Sequence, residues 1–187
     1  MKKIFKRIGY IFLRLFYGKD ILSSKWFQKY SIGYLWALKS IPNRIKRKDI
    51  KEPYSKKAII FSGGENLNVA SSSINCLQTD IYLQNRVNRV TIGENCYISE
   101  HVGIITEQHD VYDLEKHAPG KDVTIGNWVW IGMNSVIMPG VVLGDHTTVG
   151  ANSVVTKSFP DGYCVIAGVP AQVIRKLDRE DFKENLD

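Results

Sequence analysis

An aliphatic residue returns every six positions through the second half of the chain, at Ile125, Ile131, Ile137, Leu143, Val149 and Val155. Glycine follows it at 126, 132, 144 and 150, and small or β-branched residues recur four places after it. An amphipathic helix repeats near 3.6 residues and a half-buried strand at two, so neither accounts for this period. A repeat of six is that of a parallel β-helix, in which short strands coil around a triangular prism. Each aliphatic residue then points inward and stacks on its equivalent three hexapeptides later. The same period is present upstream at Ile92, Ile98 and Ile104. From Ile104 the next regular position is Ile125, a gap of 21 where three hexapeptides take 18. Residues 105–124 between them are polar, contain Pro119-Gly120 and break the repeat. They are expected to form a loop extruded from the prism, and loops on rigid scaffolds tend to carry function. Residues 62–87 read as early, imperfect coils, with a first strand at 58–61.

The charge is divided as sharply as the repeat. Residues 1–57 hold 16 Lys/Arg against Asp20, Asp49 and Glu52, a net +13, while the other 130 residues carry 9 basic and 16 acidic, a net −7. The basic character therefore belongs to the N-terminal segment. In residues 1–17, Arg7 and Arg14 interrupt the apolar run well short of the roughly 20 residues a membrane-spanning helix needs. A small-residue cleavage site is missing too, so the segment does not read as a secretory signal. As a helix it places Ile4, Ile8, Ile11, Phe12, Leu15 and Phe16 on one side, flanked by Lys2, Lys3, Lys6, Arg7 and Arg14. That is the pattern of a helix lying on an anionic leaflet, and the basic run at 43–57 suits the same surface. The alternative is that these helices cover one end of the prism, which otherwise exposes strand edges. Both readings stand. A nucleic-acid partner is not expected, since no known binding module is present.

Cys76, Cys96 and Cys164 are odd in number and lack a C-x-x-C spacing, which argues for reduced thiols. Cys96 fills the small-residue slot of its hexapeptide, a packing position. The expected organisation is a basic helical segment over 1–57, a β-helix over 58–169 with its loop at 105–124, and a short C-terminal helix over 170–187. That helix would begin near Ala171, with Pro170 at its start.

The run VTIGNWVWIGMNSVIMPGVVLGDHTTVGANSVVTKSFPDGYCVIAGVPAQVIRKL resembles the C-terminal half of hexapeptide-repeat acyltransferases. These are left-handed β-helix enzymes that move acetyl groups from acetyl-CoA. The loop QHDVYDLEKHAPGKD, together with the basic N-terminus, is most similar to the branch that O-acetylates exopolysaccharide, capsule or lipopolysaccharide sugars. Left-handedness rests on this resemblance, because parallel crossovers are otherwise right-handed. The resemblance implies a mainly β fold, a homotrimer with active sites between subunits, acetyl-CoA as donor, a sugar or polysaccharide acceptor, and no metal. It also implies a cytoplasmic enzyme, peripheral at the inner membrane face.

Of the four histidines, His101 and His146 fall at turn-like positions within hexapeptides, and His117 lies beside Pro119 in the loop. His109 lies where the repeat breaks and matches the family's catalytic histidine in context and spacing. An imidazole titrates close to physiological pH, which suits the removal of a proton from a sugar hydroxyl. The hydroxyl would then attack the thioester directly. Asp110, or alternatively Asp113 or Glu107, would orient the ring. Where relatives often carry a serine to stabilise the developing oxyanion, this chain has Met133, so backbone N–H groups near Gly132 and Met133 are expected to serve. Trp130 matches a tryptophan beside the thioester. Ala151 matches a small residue against the pantetheine arm, Thr156 and Lys157 lie toward the nucleotide end, and Arg175 matches a residue facing the CoA phosphates. Gln172 stands where many relatives carry Arg. For the acceptor, Asn85 and Tyr112 are the candidates. Two other outcomes stay open: N-acetylation of an amino sugar or transfer to a small soluble acceptor, and a non-catalytic hexapeptide scaffold. A zinc site of the carbonic anhydrase kind is not expected, since His101, His109 and His117 are spaced by eight.

Overall fold

The computed structural model describes residues 14–16, 41, 59–60, 66–78 and 80–182. The expected N-terminal helices therefore lie outside the described residues. From Ile59 onward the chain winds three parallel sheets around a common axis. Side I contains β1 (Ile59–Ile60), β3 (Tyr82–Gln84), β6 (Gly103–Ile105), β9 (Val136–Ile137) and β12 (Val154–Val155) in that order. Side II contains β2 (Leu67–Val69), β4 (Val90–Ile92), β7 (Val123–Ile125) and β10 (Val142–Leu143). Side III contains β5 (Tyr97–Ile98), β8 (Trp130–Ile131), β11 (Thr147–Val149), β13 (Cys164–Gly168) and β14 (Ala171–Lys176). The chain visits sides II, III and I in turn, which makes a three-sided parallel β-helix.

The register is the one the period of six demands. Ile92 pairs with Ile125 and Ile125 with Leu143. Ile98 pairs with Ile131, Ile131 with Val149, and Val149 with Ile166. Ile104 pairs with Ile137 and Ile137 with Val155. All of these side chains are buried and form one continuous core. Four places after each aliphatic residue sits a second buried position, held by Cys96, Val102, Val129, Ser135, Val141, Thr147 and Ser153. The hydroxyls there return their hydrogen bonds to the backbone: Ser135 and Ser153 donate to the Gly150 carbonyl, and Thr147 to that of Gly144. These buried hydroxyls are thus satisfied within the coil.

Corners follow the same arithmetic. Three residues after the inward aliphatic, Asn95, His101, Trp128, Asn134, His146 and Asn152 all take positive φ, and Gly140 does so in the equivalent slot. Asn and His enter this left-handed region more readily than most residues, whereas a bulky ring such as Trp128 does so rarely. Both His101 and His146 are therefore corner residues.

Two expectations need correction. The gap of 21 between Ile104 and Ile125 is not three hexapeptides with three residues added. Ile92 pairs with Ile125 at a separation of 33, where Ile125 and Leu143 are 18 apart, so 15 residues are extruded within a single coil. The step from Ile104 to Ile125 is one corner. The second correction concerns the C-terminus. No helix begins at Ala171; β14 folds back antiparallel on β13, pairing Gly168 with Ala171 and Cys164 with Lys176. Gly168, at φ 104°, provides the reversal, and the residue before Pro170 is sterically disfavoured in a helix. The β-branched pair Val173-Ile174 favours the strand. β14 covers the free edge of side III that another parallel coil would otherwise occupy.

At the opposite end, a 3₁₀ helix over Ser71–Gln78 takes the place of a strand beneath β5. It delivers Ser73 and Cys76 into the core. Ser73 Oγ donates to the Gly93 carbonyl and accepts from the Cys96 N–H, and Cys76 Sγ donates to the Cys96 carbonyl. Burial pushes the Cys76 thiol well above the usual range and raises Cys96 as well. All three cysteines are free and buried. Two outcomes follow. Cys76 and Cys96 are expected not to react with a thiol-specific disulfide reagent at pH 8 until denaturant is added. Ile137→Ala, which empties a position stacked between Ile104 and Val155, should cost about 2–5 kcal/mol in denaturant unfolding, against less than about 1 for the outward Val142→Ala.

Candidate active site

The extruded segment leaves the prism at the corner between sides I and II. Thr106 anchors the departure, its N–H and Oγ1 both donating to the Gln84 carbonyl. Glu107 follows and is buried, and its Oε1 accepts from Arg86 Nε at 3.1 Å. Arg86 stands just past β3, at the same corner of the preceding coil. Beyond Glu107 the loop doubles on itself as a narrow antiparallel ribbon. The Asp110 N–H donates to the Lys116 carbonyl, the Ala118 N–H donates to that of Gln108, and His109 bridges His117.

This ribbon sets the histidine. His109 Nδ1 lies 2.7 Å from the Leu114 carbonyl. A carbonyl can only accept, so Nδ1 carries a proton, and in the neutral ring the lone pair is on Nε2. The His117 ring stacks on it, with centroids 4.5 Å apart and planes inclined by 29°. Asp110, expected to orient the ring, does something else. Its Oδ1 accepts from the N–H groups of Tyr112 and Asp113, closing the turn at the ribbon's tip. Asp113 pairs with Lys116 at 2.8 Å, and Glu107 is held by Arg86. The partner at Nδ1 is thus a backbone carbonyl rather than a carboxylate. Aspartate favours such turns because its side chain can bond the backbone two residues on.

The acceptor candidates divide. Tyr112 stands at the tip, 97% exposed. Asn85 lies at the same corner as Arg86 but is completely buried, and its Nδ2 donates to the Asn66 carbonyl of a neighbouring coil. It braces the corner instead of facing solvent. The residue beside it, Arg86, is the exposed one, together with His117; Arg86 was not singled out in the sequence, and His117 only as a loop histidine beside Pro119. Their signal was present nonetheless, in an acidic residue entering the prism at 107 and an arginine one coil earlier at the matching corner.

Most of the residues expected to hold the donor lie elsewhere on the prism. Trp130 projects from side III, 54% exposed, between Tyr97 and Thr148 in register. Arg175 sits on β14 opposite Val165, at the end of the same outward row. At the next corner, between sides III and I, are Gly132, Met133 and Ala151. A Cβ on Gly132 would stand 2.6 Å from the Ala151 nitrogen, so the coils close only on glycine there. The Gly132 N–H already donates to the Val149 carbonyl. Of the two amides expected to face an oxyanion, only that of Met133 has no backbone partner among the described residues. The same holds for the Ala151 N–H, on an exposed small residue, which fits a contact to an amide-bearing arm. Thr156 and Lys157 return to the corner between sides I and II. Thr156 lines an open cleft of about 440 Å³ with Glu107, Gln108, Lys121, Met138 and Pro139, and Lys157 Nζ donates to Gln172 Oε1 at 2.7 Å. The loop residues and the Gly132–Met133–Ala151 corner therefore occupy different edges of one prism, with side I between them. His101 stands 3.9 Å from Asp80, and His146 packs among Trp128, Tyr163 and Phe182. Among the described residues, no three His, Cys, Asp or Glu are placed to hold a metal ion.

Comparison with known proteins gives consistent results. The family profile described as Bacterial transferase hexapeptide (six repeats) matches residues 122–157. The galactoside O-acetyltransferase of Escherichia coli (strain K12) is 34% identical over 158 residues, covering 76% of this chain and 74% of the relative. A putative lipopolysaccharide biosynthesis O-acetyl transferase from the same organism is 37% identical over 110 residues, 50% of this chain and 54% of that protein. Among solved structures, a galactoside acetyltransferase in complex with coenzyme A superposes with a TM-score of 0.55 and 32% identity, over 68% of this chain and 64% of that one.

The ribbon geometry separates two roles for Asp110. As a turn former it is replaceable by Asn, which keeps the accepting oxygen, so Asp110→Asn is expected to hold kcat within about threefold. A carboxylate that oriented the ring as in a Ser-His-Asp triad would instead cost about 10⁴ on the same change.

Proposed function

The chain belongs to the hexapeptide-repeat acyltransferase family and is an enzyme of that kind; from this premise we propose that it transfers an acetyl group from acetyl-CoA to a sugar hydroxyl of a bacterial surface polysaccharide or its lipid-linked precursor. The observation that carries the reading is His109, held on an extruded ribbon with Nδ1 committed to the Leu114 carbonyl and Nε2 left to accept a proton. In the proposed reaction Nε2 takes the acceptor's hydroxyl proton as the oxygen attacks the thioester carbonyl. The new C–O bond forms, the C–S bond breaks, and the proton leaves with the CoA thiol. No acyl-enzyme is required. The Met133 N–H is the candidate donor to the developing oxyanion, acting where a serine hydroxyl is absent.

The placement of the residues supports a homotrimer. On one prism the His109 loop and the Trp130–Met133–Ala151 surface lie on different edges, so a second copy is needed to set them against each other. Acetyl-CoA would lie in the groove so formed, its pantetheine along Ala151 and its phosphates toward Lys157 and Arg175. The likeness to both a galactoside and a lipopolysaccharide O-acetyltransferase supports a sugar hydroxyl as acceptor. The +13 charge of residues 1–57 supports attachment to an anionic leaflet on the cytoplasmic side, where lipid-linked precursors are exposed.

Release of free thiol from acetyl-CoA across a panel of galactosides, amino sugars and undecaprenyl-linked saccharides tests the activity. His109→Ala should lower kcat by about 10²–10⁴ with the KM for acetyl-CoA little changed. Retention of full activity would remove His109 from the chemistry. For the membrane, the full chain should float with vesicles containing phosphatidylglycerol at physiological salt and stay unbound with purely zwitterionic ones.

A further inference from the structure

We propose that Arg86 and His117 are positioning residues for His109: Arg86, clamped on Glu107, holds His117 as a neutral ring against which the base is stacked. The proposal rests on the reading of His109 as the base and adds the device that keeps it in place.

His109 stands on an exposed ribbon, and a single bond from Nδ1 to the Leu114 carbonyl lets the ring pivot about that contact. The second constraint is the His117 ring, 4.5 Å away. The pairing is built into the backbone, because residues 109 and 117 are bridge partners across the ribbon. Side chains directly opposite on one face of an antiparallel pair come close enough to pack. Here they do so face to face.

His117 is fixed in its turn from the prism. Arg86 Nε donates to Glu107 Oε1 at 3.1 Å, and Arg86 Nη2 lies 3.3 Å from His117 Nε2. A guanidinium has only donors and keeps its protons, so Nε2 of His117 must accept. The ring is then neutral, with its proton on Nδ1. Glu107 is 5% exposed, which makes it a rigid root for the clamp. A buried carboxylate without its cationic partner is costly, so the Arg86 side chain is held where it can reach His117.

The chemistry explains why a neutral neighbour matters. A general base becomes a cation as it takes the acceptor's proton. A second imidazolium stacked 4.5 Å away would oppose that charge, and a neutral ring does not. Of the other charged groups on the ribbon, Asp113 is engaged with Lys116 and Asp110 with two backbone N–H groups, and Glu115 stands exposed near its tip. Lys121 lies along the cleft on the returning strand of the loop. Arg86 is the charged group that touches a ring nitrogen of the pair.

The test is side-chain ¹⁵N NMR of the full chain at neutral pH with labelled histidine, the four rings assigned by single His→Gln substitutions. The unaltered protein should show both His109 and His117 as neutral Nδ1–H tautomers. Arg86→Met should let His117 shift to the Nε2–H form that predominates in water. His117→Ala should let His109 exchange between tautomers, while His117→Phe, which keeps a ring to stack, should preserve its Nδ1–H form. A His117 that is cationic or protonated at Nε2 in the unaltered protein would overturn the proposal, as would a His109 tautomer indifferent to His117→Ala. No donor or acceptor is present in this measurement, so its failure is separate from a failure of the transferase reading, which the His109→Ala assay decides.

Discussion

Stacking of one aliphatic side chain on its counterpart a coil away is the contact on which the structure depends. Ile92, Ile125 and Leu143 lie in register, as do Ile98, Ile131 and Val149. A slip of one residue would turn every inward side chain outward, because strand side chains alternate between faces. The requirement is strong enough that 15 extra residues pass between Ile104 and Ile125 without disturbing it. The prism closes on either side of the loop as though the loop were not there. Ile137 still pairs with Ile104 after the insertion.

That indifference gives the loop its usefulness. Its stem is tied by Thr106 and by the Arg86–Glu107 pair to the coil below, and its arms are tied to each other. The result is an imidazole carried on a short ribbon with a rigid base. Its Nδ1 meets a backbone carbonyl and its ring stacks on His117. The tightness of the coils shapes the other half of the site. Glycine at 132 lets neighbouring coils approach, and the small residue at 151 leaves an amide at the surface. One prism holds these two halves on separate edges, and the chemistry proposed for them would need an assembly to bring them together.

The fold was largely legible in the sequence because it is dictated by one repeated local rule. The inward positions, the small-residue slot at Cys96, and the turn character of His101 and His146 all followed from counting by six. What was not legible was whatever depends on register across the interruption. The number of extruded residues could be read only from the pairing of Ile92 with Ile125. The C-terminal segment was mistaken for a helix because Pro170 commonly opens one, and the positive φ of Gly168, which turns the chain back, leaves no mark in composition. Within the candidate site, His109 was singled out by where the repeat fails and by the family resemblance. The partner of its Nδ1 was not foreseen, since a backbone carbonyl at Leu114 has no side-chain signature. Asn85 was proposed for the acceptor from the family resemblance alone, and its burial and its bond to the Asn66 carbonyl were not legible in the sequence.

The central claim is that the base and the donor site are completed between copies of the chain. A crystal structure of the protein with coenzyme A bound measures this most directly. The account predicts a trimer in which the CoA sulfur lies near Nε2 of one subunit's His109 while the pantetheine runs along Ala151 of a neighbouring subunit. Coenzyme A bound wholly within one prism, or with its sulfur remote from every His109, would contradict it.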